Sequence, residues 1–115
     1  MESFPKFLQG IFGFTGTGLS TSALLDTTCV YTVSSTKRAQ LVYLRAGNSS
    51  DALICLTLMR DGKPMRLFPI GAKAAAHVPL TVVEDLEPDT KIEMYISAPA
   101  GVAGEVVVDL GLLEI

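Results

Sequence analysis

Few residues in this chain are of the kinds that do chemistry, and their spacing gathers none of them into a reaction centre. His77 is the one histidine. It stands between Ala76 and Val78 in an apolar stretch, where a lone strand histidine reads as a solvent-facing or hydrogen-bonded structural residue. Catalysis needs a base, a nucleophile or a metal cluster, and no Cys/His spacing matches a zinc site. The carboxylates crowd together only in "EDLEPD" (residues 84–89). A hard cation takes oxygen ligands, but this stretch lacks the alternating Asp/Asn spacing and closing Glu of a calcium loop, so it reads as a solvated turn. "GFTGTG" (residues 13–18) lacks the Lys and Ser/Thr of a phosphate loop and neither follows a strand nor opens a helix. The sequence therefore predicts no enzyme, no catalytic residue, no metal and no cofactor.

Cys29 and Cys55 both lie in apolar, strand-like segments. They are expected to be unpaired and mostly buried, behaving as small hydrophobes. No secretory signal precedes them, since Glu2 and Lys6 interrupt the first residues, and no stretch approaches the ~20 apolar residues of a membrane span. "NSS" at Asn48 fits a glycosylation sequon and is read instead as a turn. The net charge of −3 and the scattered Lys and Arg predict no attraction to nucleic acid or to an anionic membrane.

The residues that do cluster are apolar. Four of the five phenylalanines, Phe4, Phe7, Phe12 and Phe14, fall in the first 19 residues together with Leu8 and Ile11, and four of the ten glycines are interleaved with them. Ordering about 20 residues costs roughly 1–2 kcal/mol each in backbone entropy, and each buried phenylalanine returns about 1.5–3 kcal/mol. The two totals are comparable. Residues 1–22 are therefore expected to form an extended arm that needs a groove or a sheet edge to lie on. Two dispositions follow. The favoured one docks the arm on a neighbouring subunit, with Phe4, Phe7, Leu8, Ile11, Phe12 and Phe14 as partner-binding anchors. The other folds it back over its own domain. Base stacking on these rings is disfavoured, because Lys6 is the only cation among the first 36 residues and single-strand binders need basic grooves.

Beyond the arm the period is two. "CVYTV" (29–33) is β-branched and aromatic. "KRAQLVYLRA" (37–46) places Val42 and Leu44 on one face and Leu41 and Tyr43 on the other, as in a central strand. In "ALICLTLMR" (52–60), Ile54, Leu56 and Leu58 share a face. Asp61-Gly62 is a type I′ hairpin signal. "PMRLFPI" (64–70) is expected at a sheet edge, because Pro64 and Pro69 cannot donate ladder hydrogen bonds. "AAAHVPLTVV" (74–83) is interrupted by Pro79. In "KIEMYISA" (91–98) Ile92, Met94 and Ile96 point inward, and in "EVVVDLGLLEI" (105–115) Val106, Val108, Leu110 and Leu112 do. Seven or eight short strands with turns between them predict an all-β antiparallel sandwich, Ig-like or jelly-roll-like, over residues 23–115.

"VYTVSSTKRAQLVYLRAGNSSDALICLTLMRDGKP" (30–64), the later "LEPDTKIEMYI" (86–96) and the closing "LLEI" (112–115) resemble a strand-and-turn pattern recurring in small virion proteins of tailed bacteriophages. The resemblance implies a β-sandwich subunit of the virion, commonly trimeric and assembled in the host cytoplasm, with the major capsid protein or tail and neck subunits as partners. Capsid decoration or cement is the role expected first, and a neck, tail or fibre accessory role second. Low charge, at 18% of residues, and proline-marked edges fit a homo-oligomer. A carbohydrate-binding sandwich is the alternative of another class, disfavoured by the absence of Trp and the presence of only three Tyr.

Overall fold

A computed structural model describes residues 3–80 and 85–115. The chain forms β1 (Phe4–Thr15), β2 (Ala23–Leu24), β3 (Val30–Thr32), β4 (Ala39–Asn48), β5 (Ile54–Arg60), β6 (Lys63–Ile70), β7 (Ala75–Pro79), β8 (Asp85–Leu86), β9 (Lys91–Ser97) and β10 (Ala103–Glu114). No helix occurs among the described residues. The strands make two antiparallel sheets packed as a sandwich, as the two-residue period predicts. Sheet one runs β1-β10-β4-β7, with β8 also paired to β4. Sheet two runs β2-β9-β5-β6, with β3 also paired to β9.

The inward faces follow the sequence pattern. Ile54, Leu56 and Leu58 from β5 meet Val106, Val108, Leu110 and Leu112 from β10, and Ile92, Met94 and Ile96 from β9 complete the core. Asp61 and Gly62 both have positive φ, 50° and 80°, and join β5 to β6 as a tight hairpin with Arg60 opposite Lys63. β6 lies at a sheet edge and β4 in a sheet interior, as expected. The part of the expected 74–83 strand beyond Leu80 lies outside the described residues, as does Glu84 of the acidic turn.

Three expectations change. Strict alternation in β4 fails: Leu41 and Leu44 are both buried while Val42 is exposed. The register explains it. Gly111 faces Tyr43 but Leu112 faces Leu41, so Val42 is the extra residue of a β-bulge. The strand count is ten among the described residues, above the seven or eight expected, because residues 4–15 and the short β8 also pair. And residues 3–22 do not stand apart from the sandwich. The N-terminal stretch is extended, but it is laid along the molecule's own edge, pairing with β10 without a break from Phe4↔Glu114 to Thr15↔Ala103. Of the two dispositions, the structure shows the fold-back. The sheet edge that such a segment needs is supplied by the chain's own β10, whose ladder of backbone hydrogen bonds adds to the burial of Leu8, Phe12 and Phe14.

The glycines of the N-terminal segment then find a role at the corner after β1. Gly16 donates its N–H to the Val102 carbonyl (2.6 Å) and accepts from Gly101 N–H (3.0 Å), and Gly18 donates to the Ala98 carbonyl (2.8 Å). A Cβ on Gly16 would overlap the carbonyl oxygens of Pro99 and Ala98. Only glycine lets the chain cross from one sheet to the other this closely.

Candidate functional site

The six apolar residues expected to anchor a partner are divided by the two-residue period of β1. Leu8 is buried in the core, and Phe12 and Phe14 pack against it. These three serve the fold. Phe4 stands at the open end of the same face, with the Lys37 ammonium 4.2 Å above its ring, a cation–π contact. Phe7 and Ile11 point away from the core and are 54% and 66% exposed. Of the six, Phe7 and Ile11 are therefore free to meet another surface.

They are not isolated. Ile11 faces Val107 on β10, itself exposed, and Val107 faces Gly47 on β4, which in turn faces Ala75 on β7. This row crosses sheet one from edge to edge. Its side chains shrink from Ile to Ala and leave an open depression of about 510 Å³ over Gly47, Ala75 and Ala76, with Val107 on one wall.

The next row along the strands is polar. Gln9 faces Asp109, Asp109 faces Arg45 and Arg45 faces His77. Asp109 Oδ1 accepts from Gln9 Nε2 (3.0 Å) and from Tyr43 Oη (2.9 Å), and Oδ2 lies 3.4 Å from Arg45 Nη2. The Tyr43 ring lies on Gly111. The Arg45 guanidinium sits 5.0 Å from its centroid, and His77 meets it edge-on at 6.1 Å. Asp109 therefore ties three strands together through side chains on the outer face. Gln9, Tyr43, Arg45 and Asp109 were not singled out from sequence. The signal was there in Asp109, a lone charge within "VVVDLGLL", which strict alternation turns outward. His77 is solvent-exposed and forms a wall of the depression.

Elsewhere polar groups are used internally. Asn48 is buried: its Nδ2 donates to the carbonyls of Ala52 (2.8 Å) and Gly71 (3.0 Å), and its Oδ1 accepts from Ser50 N and Oγ. The "NSS" sequence is thus a turn whose amide is engaged. In the acidic turn Asp85 and Glu87 pair with Arg38 at 3.2 and 3.4 Å. Among the described residues no group of three or more His, Cys, Asp or Glu side chains is placed to hold a metal, and no buried side-chain polar atom lacks a partner. Both cysteines are free. Cys29 is buried, and Cys55 is half-buried rather than mostly buried, because it faces outward from β5. The arrangement offers recognition surfaces: an exposed apolar row, a depression and a strand edge.

No family model matches the chain, and no curated protein matches it. Solved structures share its fold. The CBM36-1 domain of a multidomain xylanase from the hindgut metagenome of Trinervitermes trinervoides superposes with a TM-score of 0.58 at 14% identity, covering 96% of both chains. A family 35 carbohydrate binding module from Clostridium thermocellum gives 0.52 at 13% identity, covering 95% of this chain and 97% of that one. A chain of infectious bursal disease virus, Gt strain, gives 0.55 at 14% identity over 98% of this chain. The present chain spans 32% of that viral chain. At these identities what is shared is a β-sandwich of two antiparallel sheets.

Proposed function

We propose that the protein is a non-enzymatic structural subunit of a virion, most simply a capsid decoration or cement protein, with a neck, tail or fibre position as the variant of the same reading. The observation that carries this is the row of exposed Phe7, Ile11 and Val107 on the outer face of sheet one, continuous with the edge strand β1. Apolar surface of this kind is expected where another protein covers it. The low charge content and the resemblance of residues 30–64, 86–96 and 112–115 to small phage virion proteins point the same way, and the same sandwich recurs within a viral chain.

A carbohydrate-binding role ranks second. The depression beside His77 and Arg45 gives it a place, and two fold relatives are carbohydrate-associated domains. It lacks an open platform for a sugar ring: the Tyr43 ring is held between Gly111 and Arg45, and its hydroxyl is bonded to Asp109.

Purified particles of the virus encoding this chain test the reading. The chain is expected in them at a fixed ratio to the major capsid protein, and particles lacking it should regain heat resistance when it is added back. Its absence from purified particles, or binding to a defined glycan that Tyr43→Ala abolishes, would overturn the reading.

A further inference from the structure

We propose that β1 pairs antiparallel with β1 of a second copy, about Gln9, joining the two five-stranded copies of sheet one into one continuous ten-stranded sheet. This inference rests on the edge itself and not on the virion reading.

The backbone geometry shows which groups are unpaired. Gly16 N donates to Val102 O, in the same register that sets Phe4 opposite Glu114. Hydrogen-bonded and non-bonded pairs alternate along an antiparallel ladder. Even-numbered residues of β1 therefore turn their N–H and C=O toward β10. A second contact agrees: Ser49 N donates to Glu105 O, so odd residues of β10 serve β4 and even ones serve β1. That leaves the N–H and C=O of Phe7, Gln9, Ile11 and Gly13 directed off the edge, and the same residues carry the outward side chains.

The other edges are guarded and this one is not. β6 carries Pro64 and Pro69 and faces a register shift at Leu58/Met59. β7 has five residues and ends at Pro79. β2 and β3 have two and three residues. Prolines, bulges and short length are the usual defences of a sheet edge. The prolines that suggested assembling edges in the sequence are those that close them. β1 has twelve residues, no register shift against β10, and proline only at Pro5.

The strand is complementary to itself. With Gln9 opposite Gln9 of the second copy, Phe7 meets Ile11 of that copy twice over, and the row Phe7, Ile11, Val107 runs on across the junction. β1 holds one charged residue, Lys6. In this register the two Lys6 side chains lie about 20 Å apart, at ~3.4 Å per residue, well beyond the ~8 Å Debye length at physiological salt. No carboxylate on β1 selects a basic partner strand instead. The contact is only one strand wide, at the small end of specific interfaces, whose lower bound is about 1,200 Å², so pairing is expected to be weak and to depend on concentration.

Amide exchange and sedimentation of the full chain at about 10 and 300 µM test this. The expected result is a shift from monomer to dimer. The amides of Phe7, Gln9, Ile11 and Gly13 should slow by about tenfold or more with concentration, while those of Leu8, Gly10 and Phe12 should be slow at both. Ile11→Lys, and separately Phe7→Lys, should abolish both changes without shifting the melting temperature, since both side chains are exposed. A monomer at 300 µM, a trimer, a dimer in which the odd-numbered amides gain no protection, or a dimer indifferent to both lysines would each overturn the proposal. None of these outcomes bears on whether the chain is found in a particle.

Discussion

Tyr31 and Glu114, 83 residues apart in the chain, form a hydrogen bond in which the phenol donates to the carboxylate. The backbone N–H of Ser34 donates to the same carboxylate oxygen at 3.1 Å. Tyr31 belongs to β3 of sheet two and Glu114 to β10 of sheet one, so the pair bolts the two layers together at one end of the sandwich. Donation from Tyr31 holds the Glu114 carboxyl below its ordinary value, with further help from Ser34 and from the charges of Lys6 and Lys37 against an opposing effect of burial. The Tyr31 hydroxyl is pushed well up, first by burial and then by this bond.

A carboxyl whose pKa is lower folded than unfolded stabilises the fold above its unfolded value, here about 4.5, and that stabilisation is lost as the pH falls through the folded value. Wild-type stability should therefore decline on acidification below about pH 4.5. Tyr31→Phe should cost about 1–3 kcal/mol at pH 7 and flatten that acid limb. Thermal melts from pH 3 to 7 measure both. An acid limb unchanged in Tyr31→Phe would show that the bond does not set the Glu114 titration.

Gly16→Ala should destabilise the protein by about 2–4 kcal/mol, because its Cβ meets backbone carbonyls that cannot move aside without unseating the turn before β10. Gly13→Ala is the control. Its Cβ would find its nearest neighbour, the Gly104 carbonyl oxygen, at 4.0 Å, and the change should stay within about 0.5 kcal/mol. Parallel melts should separate the two variants by roughly 10 °C; coincident melts would mean that the corner relaxes freely.

The cysteines should differ in reactivity. Burial, then the charge of Asp26, pushes the Cys29 thiol up to about 11, so little of it is thiolate at pH 8. Cys55 is half-buried on the outer face of β5. Alkylation of the native protein at pH 8, read by peptide mass spectrometry, should label Cys55 first and Cys29 only on unfolding. Equal labelling rates would contradict this.

Local period and turn chemistry made much of the fold readable. Asp61-Gly62 announced its hairpin, and Ile92, Met94 and Ile96 announced their face, because each signal is complete within a few residues. The bulge at Val42 was not readable, since it is defined by a partner strand about 70 residues away. The same holds for β1. Its alternation of Leu8, Phe12 and Phe14 against Phe7, Gln9 and Ile11 was present in the sequence, but the glycines masked it, and the strand that completes it lies at the other end of the chain. At the site, the apolar anchors were visible as residue types. Their division into core and surface, and the clustering of Gln9, Tyr43 and Arg45 on Asp109, depended on that same long-range pairing.

That pairing governs when the molecule can fold. β10 lies between β1 and β4, and β9 lies between β5 and the pair β2 and β3. Both organising strands come from the last quarter of the sequence. While a ribosome is still making residues 1–90, each layer lacks its middle: β5 can pair only with β6 and β4 only with β7 and β8, and β1 has no partner strand. The nascent chain must carry β1, and one edge each of β4 and β5, unpaired until β9 and β10 emerge, which makes acquisition of the native state a late event. Contacts this distant slow folding toward milliseconds to seconds, and in that interval self-association competes with folding. Expression at reduced temperature, or alongside holding chaperones, should therefore raise soluble yield more than any change to the finished surface.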